Sequence, residues 1–185
     1  DSTFVTLDEI AARADVVTFH TPLTLDGPHA TRHLFDRDFL SRGPKAMVIN
    51  AARGPVADNA ELTRALLRGA VRHAAVDCWE GEPRISRDLL ARADIATPHI
   101  AGYSLQGKAN ATAMAVGAVA RRFALPLEGW YPAVAPSHPR PIGWDELAAT
   151  IGARYDIAAE SDTLKRHPER FEALRNGYSY REEYF

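Results

Sequence analysis

Three residue blocks carry groups that could do chemistry together. They are Asn50-Ala51-Ala52-Arg53-Gly54, Asp77-Cys78-Trp79-Glu80-Gly81-Glu82-Pro83 and Thr97-Pro98-His99-Ile100-Ala101-Gly102-Tyr103. Each follows a short apolar run that reads as a β-strand. An arginine, a carboxylate and an imidazole are thus expected at the ends of consecutive strands. In an open parallel sheet such ends line one crevice, where ligands bind. Arg53 can hold a substrate carboxylate through two parallel hydrogen bonds. His99 can exchange a proton near neutral pH. Glu82 can orient that histidine and stabilise its charged form. The combination suits hydride transfer from a 2-hydroxy acid.

The elements that must position these groups alternate along the first half of the chain. Apolar residues at 7, 10, 11 and 14 have helical spacing, and residues 15–20 read as a strand. Residues 21–35 form a loop broken by Pro22, Gly27 and Pro28. A short helix (36–41) and a strand (46–50) follow. Asp58 is placed to cap a helix that runs to Arg68 and stops at Gly69. The next strand covers 71–76. Ser86 caps a helix to Arg92, and 94–96 make a short strand. Repeated strand–helix units of this length predict an α/β fold with a doubly wound parallel sheet. The second half differs. Residues 105–123 form one long Ala-rich helix. Residues 125–143 are rich in proline (Pro126, Pro132, Pro136, Pro139, Pro141) and read as a linker or surface strap. Helices are expected over 144–151 and 168–175, and Phe185 is placed to begin a strand.

The totals exclude several classes. Twenty-two basic and 24 acidic residues give a net charge of −2, so nothing in the composition points to nucleic acid or an anionic membrane. No apolar run approaches the roughly 20 residues needed to span a bilayer. The single cysteine, Cys78, rules out an internal disulfide and multi-cysteine metal sites, and a reducing cytoplasm is the simplest compartment. No metal is expected. The chain opens without a methionine and directly ahead of a helix, and it is expected to be an internal piece of a longer protein.

At these blocks the sequence resembles the D-isomer-specific 2-hydroxyacid dehydrogenases. That family's pattern is an Asn-x-x-Arg-Gly loop after a strand, then Asp-x-x-x-x-Glu-Pro, then Pro-His, and all three occur here in order. Phe19-His20-Thr21-Pro22-Leu23 and His99-Ile100-Ala101-Gly102-Tyr103-Ser104-Leu105-Gln106-Gly107-Lys108 resemble a branch acting on a small phosphorylated 2-hydroxy acid. The resemblance implies a partial Rossmann NAD-binding domain over 1–125. It implies part of a C-terminal α+β dimerisation domain over 126–185, and hence a homodimer. It places the catalytic set on Arg53, Glu82 and His99. NAD contacts fall on Thr21, the backbone of Ala51 and Ala52, Arg53, Asp77 at the nicotinamide carboxamide, and Gly102. Substrate contacts fall on Tyr103, with Lys108 as a further candidate. The glycine-rich phosphate loop and the acidic ribose reader of the family are not in this sequence. The activity is therefore expected of the intact protein and not of these residues alone.

Each residue has a plainer reading. An arginine after a strand is usually a surface group, and it is the surrounding block that singles out Arg53. Glu80 competes with Glu82, although Pro83 biases Glu82 to extended backbone. His20, at another strand end, competes with His99, and His73 reads as a packing residue on a strand. Cys78 reads as a buried small residue and not as a nucleophile. Two other functions fit the blocks: a dehydrogenase for glycerate or phosphoglycerate, and a dinucleotide-sensing, corepressor-like binding protein.

Overall fold

The structure is a computed structural model that describes residues 4–134 and 142–183. Four strands, β1 (Val16–Phe19), β2 (Lys45–Asn50), β3 (Val71–Val76) and β4 (Ile95–Ala96), form one parallel sheet in the order β1-β2-β3-β4. The register pairs Phe19 with Asn50, Asn50 with Val76 and Val76 with Ala96. The four strands therefore stop level with one another. His20, Ala51, Asp77 and Thr97 each begin the loop that leaves the same edge.

The connecting helices start where the sequence offers a cap. They are α1 (Leu7–Arg13), α2 (Arg37–Ser41), α3 (Asn59–Leu67) and α4 (Arg87–Arg92). Thr6, Asp36, Asp58 and Ser86 each accept from the backbone N–H three residues on, satisfying a donor that the first turn leaves open. Val48, Leu62, Val71, Val76 and Leu89 form the centre of the core. Phe19, Phe35 and Phe39 pack ring against ring at its β1 end, with centroids 5.7–6.4 Å apart.

The chain divides into two compact units. The first holds residues 1–101 and 157–177, and the second holds 102–156 and 178–185. The first unit includes α7 (Ile157–Arg166), an element not expected from the sequence. It packs on β4 with Leu164 fully buried. The expected helix over 168–175 is a 3-10 turn (Pro168–Arg170) followed by α8 (Phe171–Asn176). The second unit contains α5 (Leu105–Phe123), capped by Ser104, and α6 (Trp144–Arg154). Its C-terminal residues bridge Ser104 through Arg181, and Gln106 accepts from the Glu183 N–H. Pro136, Pro139 and Pro141 of the expected strap, and Tyr184 and Phe185 at the expected terminal strand, lie outside the described residues. No helix among the described residues is long and apolar enough to cross a membrane.

Two side chains of α7 tie the short strand β4 in place. Ser161 is 2% exposed and its Oγ accepts from the Ala96 N–H at 3.0 Å, while Lys165 donates to the carbonyl of Ala93 at 2.6 Å. Ser161→Ala leaves the Ala96 N–H buried without a partner. The expected loss is about 1–3 kcal/mol, the desolvation cost of one unsatisfied donor. Urea unfolding of wild type and variant checks this, and an unchanged midpoint contradicts it.

Candidate active site

The Arg53 loop is built from Asn50 outward. Asn50 ends β2 and is 1% exposed. Its Oδ1 accepts from the Ala52 N–H at 3.2 Å, and its Nδ2 donates to the carbonyls of Arg53 and Cys78, each at 3.1 Å. One buried amide thus joins the loop after β2 to the loop after β3. Arg53 is exposed, and its Nη1 donates to its neighbour's carbonyl, Ala52 O, at 2.6 Å. A guanidinium has five N–H donors, so the remaining ones could serve an external oxyanion. Gly54 lets the two loops touch. A Cβ placed there would lie 2.0 Å from the carbonyl oxygen of Trp79, so any side chain at this position forces the loops apart.

The loop after β3 carries two carboxylates, and they go to different histidines. Glu82 Oε1 accepts from the Trp79 N–H at 2.7 Å, and Oε2 lies 2.8 Å from His99 Nδ1. Both side chains are largely buried, 20% and 17% exposed. A carboxylate only accepts, so Nδ1 carries the proton of this bond and Nε2 is left with its lone pair. The imidazole is therefore held in the tautomer that can take a proton at Nε2. Glu80, the competing partner, is engaged elsewhere: it lies 2.8 Å from His33 Nε2 and accepts from the Asn59 N–H at 2.9 Å. The indole N–H of Trp79 donates to Thr97 O at 3.0 Å and ties the carboxylate loop to the histidine loop.

Asp77 is 7% exposed and turned toward the chain around His99. Oδ1 accepts from Thr97 Oγ1 (2.7 Å) and the Ile100 N–H (2.8 Å), and Oδ2 from the Ala101 N–H (3.1 Å). His99 itself has φ 57, a left-handed backbone rare outside glycine. Cys78, which follows Asp77, is fully buried, and its thiol donates to Ala52 O. Burial first, then the charges of Asp77 and Glu82, push the thiol far above the usual cysteine range.

The histidines that compete with His99 are placed otherwise. His20 is exposed and pairs with Thr18 Oγ1 at 2.7 Å. His73 is not a packing residue: it is exposed and lies 3.1 Å from Asp94. The two-residue strand β4 pairs only with Ala75 and Val76 of β3, so it does not extend to His73. His138 lies outside the described residues.

Residues 1–101 match the model of the family "D-isomer specific 2-hydroxyacid dehydrogenase, NAD binding domain". The chain belongs to this family. Its parallel sheet is part of the Rossmann-type NAD-binding domain of these enzymes. Similar curated proteins include the erythronate-4-phosphate dehydrogenase of Bacteroides thetaiotaomicron, 42% identical over 182 residues, or 98% of this chain and 52% of that protein. The erythronate-4-phosphate dehydrogenase of Edwardsiella ictaluri is 41% identical over 196 residues, 100% of this chain and 52% of its own length. The chain spans about half the length of the curated relatives it matches. Among solved structures, the D-lactate dehydrogenase of Aquifex aeolicus, crystallised with NAD and lactic acid, has a TM-score of 0.54. It is 27% identical, with 72% of this chain and 45% of that chain covered.

The family implies a nicotinamide dinucleotide, and one observation tests the fit. Thr21 Oγ1, just beyond β1, is a buried side-chain atom with no hydrogen-bond partner. A buried orphan hydroxyl is costly unless something else satisfies it. It lies two residues past Phe19, which ends β1 opposite Asn50, at the strand-end edge where Rossmann domains take their cofactor. Thr21 fits the group. Gly102, Tyr103 and Lys108 belong to the second unit. There the Lys108 ammonium lies 3.7 Å from the centroid of Tyr103, and Tyr103 packs on Tyr178 and Tyr180.

Two outcomes follow from this packing. Gly54→Ala should lower stability by about 1–3 kcal/mol, the usual cost of overpacking. Urea unfolding of wild type and variant reads the loss, and an unchanged midpoint contradicts it. Second, Cys78 should resist iodoacetamide in the native protein even at pH 9, because the reactive thiolate does not form there. Peptide-level mass spectrometry checks this, and native alkylation of Cys78 contradicts it.

Proposed function

We propose that this chain carries the acid–base part of an NAD-dependent dehydrogenase that oxidises 4-phospho-D-erythronate. The product is (R)-3-hydroxy-2-oxo-4-phosphooxybutanoate, on a route to pyridoxal 5'-phosphate. The observation that carries the reading is the Glu82–His99 pair, 2.8 Å apart at a sheet edge shared with the Arg53 loop. The substrate assignment is supported by relatives at 41–42% identity named for that substrate.

In this reading Arg53 clamps the substrate carboxylate and stabilises charge at the reacting oxygen. His99 Nε2 takes the proton of the 2-hydroxyl as the C2–H bond breaks. Glu82 stabilises the imidazolium that results. Bound NAD supplies the hydride acceptor. Thr21, the backbone of Ala51 and Ala52, Arg53 and Gly102 would contact the cofactor. Tyr103 and Lys108 would contact the phosphorylated substrate. The same reading makes residues 126–185 part of a dimerisation domain, the protein a homodimer and its compartment the cytoplasm.

Steady-state kinetics on the full-length protein tests the proposal. His99→Ala should lower turnover on the order of 10²–10⁴-fold, the usual contribution of a general acid–base group. Its dissociation constant for NAD should be nearly unchanged. Erythronate without its phosphate should be a much poorer substrate. Equal use of the two acids would favour a general 2-hydroxyacid dehydrogenase. Tight NAD binding with no turnover of any hydroxy acid would favour a sensor.

A further inference from the structure

The resemblance gives Asp77 to the nicotinamide carboxamide, and the same carboxylate also holds the protein's own chain. A carboxylate offers about four acceptor positions. Here Thr97 Oγ1 and the Ile100 N–H use Oδ1, while the Ala101 N–H uses Oδ2. The main-chain carbonyl of the same residue accepts from the His99 N–H at 2.9 Å. Asp77 therefore holds the hydroxyl two residues before His99, the N–H of His99 itself, and the N–H groups of both residues after it.

We propose that Asp77 is the positioning residue of His99, fixing the backbone from which the imidazole reaches Glu82. The inference rests on the reading of His99 as the proton-exchanging group. A histidine at φ 57 stays there only where its surroundings over-determine it. Three of the donors that do so end on one buried carboxylate. Without that carboxylate they lose their acceptor in a buried site. His99 is then free to relax toward ordinary backbone angles, which turns Nδ1 away from Glu82. Asp77 acts on the reaction through this loop and touches no reacting atom.

Two variants of the full-length protein separate this role from a cofactor contact. Asp77→Asn keeps the size of the side chain but turns an amide NH2 toward backbone N–H groups. Thr97→Val keeps shape and charge and removes one donor to Asp77; Thr97 is not among the proposed cofactor contacts. Two readouts need no turnover. One is amide hydrogen exchange at Ile100 and Ala101. The other is the downfield Nδ1–H proton resonance of His99, which reports its hydrogen bond to Glu82. Both variants should speed exchange and broaden that resonance. Turnover should fall on the order of 10²-fold for Asp77→Asn, the scale of a misplaced catalytic group, and less for Thr97→Val. The dissociation constant for NAD should stay nearly the same in Thr97→Val. An unaltered Nδ1–H resonance with weakened NAD binding in Asp77→Asn overturns the proposal and returns Asp77 to the cofactor. If Asp77→Asn does not fold, Thr97→Val decides alone: an unaltered resonance and normal turnover overturn it. Should wild type turn over no hydroxy acid, the reading of the reaction fails, while the exchange and resonance measurements still judge Asp77.

Discussion

Where parallel strands stop together, their loops carry backbone donors and acceptors that the ladder no longer pairs, and buried ones must find partners. Three buried side chains meet that demand here. Asn50 serves carbonyls of two loops, Asp77 serves amides of the third, and the Trp79 indole links the second to the third. Each of these residues satisfies orphan backbone groups, and each thereby fixes a loop that bears a reactive side chain. Stability and placement of the site come from one set of hydrogen bonds. Arg53 is exposed, and Glu82 and His99, though largely buried, are more accessible than Asn50, Asp77 and Trp79.

Much of this was legible in the chain. The strands read as short apolar runs, and Asp58 and Ser86 cap the helices expected of them. Arg53, Glu82 and His99 stand out because each lies in a characteristic block after such a run and the three blocks come in order. Helix α7 was not legible, for a physical reason. Of its ten residues only Ser161 and Leu164 are buried, and one of the two is polar, so few apolar residues mark the buried face. Its place is set by contacts with β4, some 65 residues earlier in the chain. Those contacts are a hydroxyl on a strand-end amide and a lysine on a loop carbonyl. The contacts of Asp77 were hidden likewise, since two of its partners are backbone amides that any residue could supply.

The choice between Glu80 and Glu82 shows what one residue of chain can do. The two carboxylates are separated only by Gly81, which has φ 77. With the chain bent there, one faces His99 and the other His33. Glu80 is held by the first amide of α3, and His33, in its own left-handed backbone at φ 54, completes a second pair with the same composition as the first. Residue type alone does not tell the pairs apart. What separates them is the company each keeps: Trp79 and the strand-end loops for Glu82, a helix start and a surface loop for Glu80.

The contact at Gly54 bears on how such a protein can change over time. Every amino acid but glycine brings a Cβ, and here that atom would fall on the backbone of Trp79, which no rotamer change can move aside. Position 54 is thus closed to gradual drift. A lineage that altered it would have to rebuild the loop after β3 in the same step, and with it the seat of Glu82. New substrate preferences are more easily reached through residues that do not sit on this seam.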